Sequence, residues 1–211
     1  MQNELTKIRF SVKPLKSNDN KVVELARTVG IHPLAYQELP YDPEYSFYAG
    51  RLNPEVLSHA TADEMYWKVR QEVIFRHTGE HPYEISGPDA EKLLQKIFTR
   101  DISKVKVGRC SYQFACYNDG GMLTDGVLLK LDENKFWFVQ ADGDLFSWYK
   151  AHSDNLDVKI SDPEVWVSQI QGPKSMDLLK VLSKETFPEN WKYFDWKEIN
   201  ILNEKVIISR S

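Results

Sequence analysis

The chain has 211 residues, 42% hydrophobic and 27% charged, an ordinary globular balance with bulk for one large domain or two small ones. A net charge of -4 argues against a nucleic-acid partner, which needs a basic surface to displace counterions. No stretch approaches the roughly 20 apolar residues of a membrane span, and Met1-Gln2-Asn3-Glu4-Leu5 carries no signal core, so no membrane role and a cytoplasmic location are expected.

In chain order, residues 1–60 read as an irregular N-terminal arm that wraps a domain. Val22–Val29 is expected to be a short helix, and Pro33, Pro40, Pro43 and Pro54 punctuate the rest. Ala62–Ile74 has helical spacing, with Met65, Val69, Val73 and Phe75 on one face and Asp63 and Glu64 in the first turn. His77-Thr78-Gly79-Glu80-His81 has the letters of a zinc motif. Gly79 and Pro82 oppose the helix that such a motif needs, so a polar turn is the preferred reading and no metal is expected.

Two later segments share one pattern. Tyr83–Ser86 runs into Gly87-Pro88 and then Leu93, Leu94 and Ile97; Trp166–Gln171 runs into Gly172-Pro173 and then Leu178, Leu179 and Leu182. Each predicts a strand, a Gly-Pro turn and a helix, with proline at the first helical position. Between them lies a meander: strands over Cys110–Tyr117, Met122–Leu131 and Lys135–Ala141, the first pair joined by Asn118-Asp119-Gly120-Gly121. A helix over Asp144–His152 and strands over Asp157–Ile160, Trp191–Trp196 and Ile199–Ser209 complete an α+β chain with antiparallel or mixed sheets and packed helices. Cys110 and Cys116 form no CxxC pair and are expected to be reduced thiols.

Asp125 stands out. Alternation puts it with Leu123, Val127, Leu129 and Leu131, the more apolar set, opposite Met122, Thr124, Gly126, Leu128 and Lys130. A carboxylate in an apolar setting is a functional candidate. Two structural alternatives stay open: Gly126 marks a bulge that turns Asp125 to solvent, or Asp125 only holds the Gly120–Gly121 turn.

From about Tyr66 to Ser211 the chain resembles the aminomethyltransferase (glycine-cleavage T-protein) family. The resemblance rests on Ile85-Ser86-Gly87-Pro88-Asp89-Ala90, Thr99-Arg100-Asp101, Gly108-Arg109-Cys110-Ser111-Tyr112, Gly120-Gly121-Met122-Leu123-Thr124-Asp125, Gln171-Gly172-Pro173-Lys174 and Ser209-Arg210. Ala141-Asp142-Gly143-Asp144 and Tyr48–Pro54 look closest to the dimethylsulfoniopropionate-demethylase branch. The resemblance implies a tetrahydrofolate-binding region over residues 61–211 and transfer of a methyl or aminomethyl group from a small-molecule donor. It implies Asp125 as the catalytic residue, and Tyr112, Gln140, Tyr193 and Met122 on the folate side.

Phe75-Arg76-His77-Thr78 departs from the family, which is usually acidic there. The family also continues past Ser209-Arg210-Ser211 into a Gly-Tyr-Thr-Gly-type loop and a C-terminal β domain. The chain is therefore expected to be a fragment or a shortened relative. The alternative to an enzyme is a non-catalytic folate-binding or accessory module. The donor's identity and the oligomeric state are not legible.

Overall fold

A computed structural model describes residues 29–183, 185, 187, 188 and 190–211. The helix expected over Val22–Val29 lies almost wholly outside the described residues. The order is β1 (Glu44–Tyr48), β2 (Arg51–Val56), α1 (Ala62–Gln71), β3 (Ile74–His77), β4 (His81–Ser86) and α2 (Ala90–Ile97). Then come β5 (Cys110–Cys116), β6 (Met122–Asp132), β7 (Lys135–Gln140), α3 (Leu145–His152), β8 (Lys159–Ser161), β9 (Ser168–Gln171), α4 (Ser175–Leu182), β10 (Trp196–Ile201) and β11 (Glu204–Ser209). The α+β class is as expected. No helix among the described residues is long and apolar enough to cross a membrane.

A five-stranded antiparallel sheet, ordered β5-β6-β7-β4-β8, is the centre of the fold. One face carries Ala115, Leu128, Phe136, Phe138, Ile85 and Ile160 against Ala90, Leu93, Leu94 and Ile97 of α2 and Leu145 and Tyr149 of α3, all buried. The i, i+3, i+4, i+7 spacing of those four α2 residues lays one apolar stripe on the sheet.

The repeated unit is present and its two copies share geometry. Gly87 and Gly172 have φ of +124° and +125°, a region that favours glycine, and in each a Cβ would strike a carbonyl oxygen, Asp157 O at 2.6 Å or Glu72 O at 2.3 Å. Two residues on, Asp89 N donates to Asp157 O and Lys174 N donates to Glu72 O, both at 3.1 Å. The helices start at Ala90 and Ser175, so Pro88 and Pro173 sit in the turn rather than at the first helical position. The left-handed glycine places a turn between strand and helix.

Helix α1 ends at Gln71, and Ile74 and Phe75 belong to β3, paired antiparallel with β9. Met65, Val69 and Val73 are half-buried, whereas Phe75 is exposed. Thr61 caps α1 through a reciprocal box: Glu64 N donates to Thr61 Oγ1 and Thr61 N donates to Glu64 Oε2. The strand expected over Trp191–Trp196 is not formed, and Ile199–Ser209 is not one strand. β10 and β11 make a hairpin whose turn residues, Leu202 and Asn203, both have positive φ.

Residues 44–56 form the β1–β2 hairpin, which docks on the main sheet's end. Ala49 N donates to Asp142 Oδ1 at 2.9 Å, and Arg51 donates to the carbonyls of Glu80 and Val165.

Candidate functional site

Residue Asp125 lies on β6 opposite Phe114 of β5, and Tyr112 lies opposite Val127. Opposed residues share a face, so Tyr112 is the diagonal neighbour of Asp125. The Tyr112 hydroxyl donates to Asp125 Oδ2. Among the described residues nothing hydrogen-bonds Asp125 Oδ1. This bond pushes the Tyr112 phenol above its usual pKa, with desolvation and the Asp125 and Tyr48 charges adding to it. Tyr112 also meets the edge of Phe114, ring centroids 5.2 Å apart.

The face expected to be dry is the other one. Thr124, Leu128 and Lys130 are buried under α2 and α3, while Asp125 and Val127 are only half-buried. Letter-by-letter apolarity fails because the buried face tolerates Lys130, whose ammonium reaches Glu91 at 3.2 Å, and Gly126, which a neighbour's atoms fill. A Cβ at Gly126 would meet Val139 O at 2.2 Å and Phe138 Cζ at 2.8 Å. Gly126 is thus a close-approach residue. The register shifts of this sheet fall at Ala115/Cys116 and Lys130/Asp132 and not at Gly126. The double-glycine turn is closed by Asp119, whose Oδ1 accepts from Gly121 N, and not by Asp125.

The other implied folate-side residues are scattered. Gln140 lies opposite Gly126, on the core face away from Asp125, fully buried. Its Nε2 donates to Gly143 O at 2.7 Å and its Oε1 has no partner. By the strand period of 2, Gln140 and Asp125 point to opposite sides of the sheet, so the two are not brought together. Met122 is 62% exposed at the start of β6. Tyr193 is also well exposed, its ring tilted against that of Phe194 with centroids 4.2 Å apart, and the Phe194 carbonyl accepts from Cys110 N. Cys110 is four residues along β5 from Phe114, roughly 13 Å away. Burial pushes the Cys110 thiol up to about 12, so it is no nucleophile at neutral pH.

Motif Ala141-Asp142-Gly143-Asp144 is a junction. Asp142 Oδ1 accepts from Ala49 N and Gly143 N, its carbonyl accepts from Thr124 Oγ1, and Asp144 caps α3 through Ser147 N. It ties the β1–β2 hairpin to β6 beside Asp125.

Sequence reading missed Tyr48 and Glu80. Burial raises the Tyr48 phenol first, and then the nearby charges of Glu80, Asp142 and Asp125. Its ring lies over Gly79, where a Cβ would come within 2.8 Å of Tyr48 Cβ. A polar cavity of about 200 Å³ opens beside it, lined also by Asn53, Glu55, Arg76, Glu80 and Gln169. The signal available was the Arg76 departure from the acidic family segment. His77 and His81 point to different places: His77 Nδ1 is 3.0 Å from Ser168 Oγ and its ring stacks at 3.7 Å on His32, while His81 Nε2 is 2.7 Å from Asp162.

Residues around Asp125 fit a flat heterocycle with an N–H. One carboxylate oxygen is fixed by Tyr112, the other is uncommitted, and partly exposed Phe114 offers a ring face.

This fold matches that of a solved aminomethyltransferase. The glycine-cleavage aminomethyltransferase T of Bartonella henselae matches with a TM-score of 0.70 and 17% identity, over 82% of this chain and 48% of that one. The GCVT N-terminal domain model matches residues 32–211, and the chain belongs to that family. It is 31% identical to the dimethylsulfoniopropionate demethylase of Ruegeria pomeroyi over 79% of this chain and 46% of that protein. It is 33% identical to the aminomethyltransferase of Natranaerobius thermophilus over 64% of this chain and 38% of that protein. The chain thus spans less than half the length of each of these relatives.

Proposed function

We propose that the chain serves a tetrahydrofolate-dependent one-carbon transfer, methyl or aminomethyl, with Asp125 at the reacting folate nitrogen. The observation that carries this reading is the Asp125 carboxylate held by the Tyr112 hydroxyl on the less buried face of the sheet, directly after the double-glycine hairpin. Its family membership supports the folate side of the reading.

Tetrahydrofolate, when bound, supplies the nitrogen that takes up or gives the one-carbon unit. The chain supplies position and electrostatics. Tyr112 fixes Oδ2, so Oδ1 keeps a constant direction toward a ring N–H. A carboxylate there orients that nitrogen, accepts its proton and stabilises positive charge developing on it. The Tyr112 hydroxyl stays protonated at neutral pH, since its pKa moves up and away from 7. Phe114 and Tyr112 give the ring apolar walls, and Tyr193 and Met122 remain candidates for contacts farther along. Gln140 contributes from beneath, by holding the Gly143 carbonyl and so the Asp142 junction.

Titrating reduced folate should quench tryptophan fluorescence. Turnover is read as methylated or methylene folate by mass spectrometry, across a panel of sulfonium, amine and ether donors. Asp125→Asn should lose turnover about 10²- to 10⁴-fold with circular dichroism unchanged, the range of a lost acid–base group. Unchanged turnover in that variant refutes the role. No turnover by the native chain with any donor, with folate still bound, would favour a non-catalytic folate-binding module.

A further inference from the structure

We propose that His81 is a proton-dependent clasp: as an imidazolium it holds the tip of the β1–β2 hairpin, and on losing one proton it lets that tip go. The inference gives a role to the second histidine of the His77–His81 motif and does not depend on the one-carbon reading.

The tip is gripped from outside. Ala49 and Gly50 turn the hairpin with φ of +50° and +79°, and an alanine seldom adopts positive φ unaided. Ala49 is buried, and side chains from the end of the main sheet take both of its backbone polar groups. Its N donates to Asp142 Oδ1 at 2.9 Å, and its O lies 3.2 Å from His81 Nδ1.

The other ring nitrogen, His81 Nε2, lies 2.7 Å from Asp162 Oδ2. A carbonyl and a carboxylate only accept, so both contacts are hydrogen bonds only when each ring nitrogen carries a proton. Asp162 is partly exposed and its Oδ1 accepts from Glu164 N, the behaviour of an ionised carboxylate. A neutral imidazole has one N–H, and the shorter bond to a charged acceptor keeps it. Bare Nδ1 would then face the Ala49 carbonyl, lone pair against lone pair. The proton lost is therefore the one that holds the hairpin, and the clasp is made at lower pH and opens as pH rises.

The surroundings suit a cation. Asp162 comes from the β8–β9 loop, and Asp142 from the β7–α3 loop lies across Ala49. Glu80 precedes His81 in the chain, and Asp144 acts on Tyr83, which stacks on the His81 ring at 4.6 Å. Arg51 of β2 is the opposing charge, its guanidinium committed to the carbonyls of Glu80 and Val165. His32 and His77 do not share this behaviour, since burial lowers both and keeps His32 neutral above about 4.

The clasp acts next to Asp125. Ala141 N donates to Asp125 O at 3.0 Å, and the Asp142 carbonyl accepts from Thr124 Oγ1. Opening it frees Tyr48 and the tip from the strand end that carries Asp125.

The test is solvent exchange of the Ala49 amide by NMR on the full chain at pH 6 and pH 9, expressed as protection over the intrinsic rate. Native protection should fall about tenfold or more between the two, the scale of a hydrogen bond to a charged group. His81→Gln offers an N–H at any pH and should be equally protected at both. In Asp162→Asn the side-chain amide can donate to bare Nε2, which leaves Nδ1–H for Ala49, so protection should persist at pH 9. Equal native protection at the two pH values overturns the inference, as does an undiminished fall in His81→Gln or Asp162→Asn. Should a variant fail to fold, the imidazole ¹⁵N signals of the native chain decide. Nδ1 bare at pH 9 supports the clasp, and Nε2 bare in its place overturns it.

Discussion

Replacing Gly126 with alanine should destabilise the chain by about 3 kcal/mol, the upper end of what one extra methyl costs in a packed interior. The magnitude follows from what occupies the space. The new Cβ would lie 2.2 Å from Val139 O, 2.8 Å from Phe138 Cζ and 3.0 Å from Gln140 Cα. Two of these are backbone atoms of β7 and cannot rotate away. Relief requires β6 and β7 to separate where Gly126 faces Gln140, which strains the ladder that carries Asp125. For a chain of this size, about 3 kcal/mol lowers the melting temperature by about 6–12 °C. The assay is a thermal melt by circular dichroism, with Gly120→Ala as the control. Gly120 has φ +87° and open space around it, so alanine there meets only backbone strain, about 1–2 kcal/mol. A Gly126→Ala melt within 2 °C of the native chain, or a smaller drop than in Gly120→Ala, would refute the close-approach argument.

Tyr112→Phe should preserve the fold and weaken reduced-folate binding about tenfold, because Asp125 loses the bond that aims it; a fluorescence titration equal to the native one contradicts this. Thr61→Ala removes the α1 capping box and should cost about 1 kcal/mol, seen as a melt lower by about 2–4 °C. His32 is lowered to about 4 by burial, then by His77 and Arg51, so it stays neutral in the fold and takes a proton on unfolding below its ordinary 6.5. Its contribution is therefore complete above about pH 6.5 and is lost as pH falls toward 4, by about 1–2 kcal/mol once partial solvation is discounted. Urea titrations at pH 7.5 and 5 check this, and His32→Asn should flatten the difference.

Patterns with a local cause were legible. The Gly-Pro turns, the Asn118–Gly121 hairpin and the three meander strands follow from glycine conformation and strand formers, and each stands where expected. The turn at Leu202-Asn203 was not, because leucine rarely adopts positive φ and nothing in its chemistry announces a turn. The buried side of β6 was misassigned because burial there is achieved by a paired Lys130 and by Gly126, neither of which counts as apolar. Asp125 was singled out by strand alternation and again by the family resemblance, Tyr112 by the resemblance alone, and the diagonal contact between them needs the β5–β6 register. Tyr48 and Glu80 were invisible as a site, since they meet only when the β1–β2 hairpin docks against the β3–β4 turn.

The account stands most directly on the environment of the folate nitrogen. Tetrahydrofolate labelled with ¹⁵N at N5 should show a shifted nitrogen resonance on binding the native chain, and the shift should revert toward the free value in Asp125→Asn while affinity falls only modestly. The same shift in both proteins would place the carboxylate elsewhere.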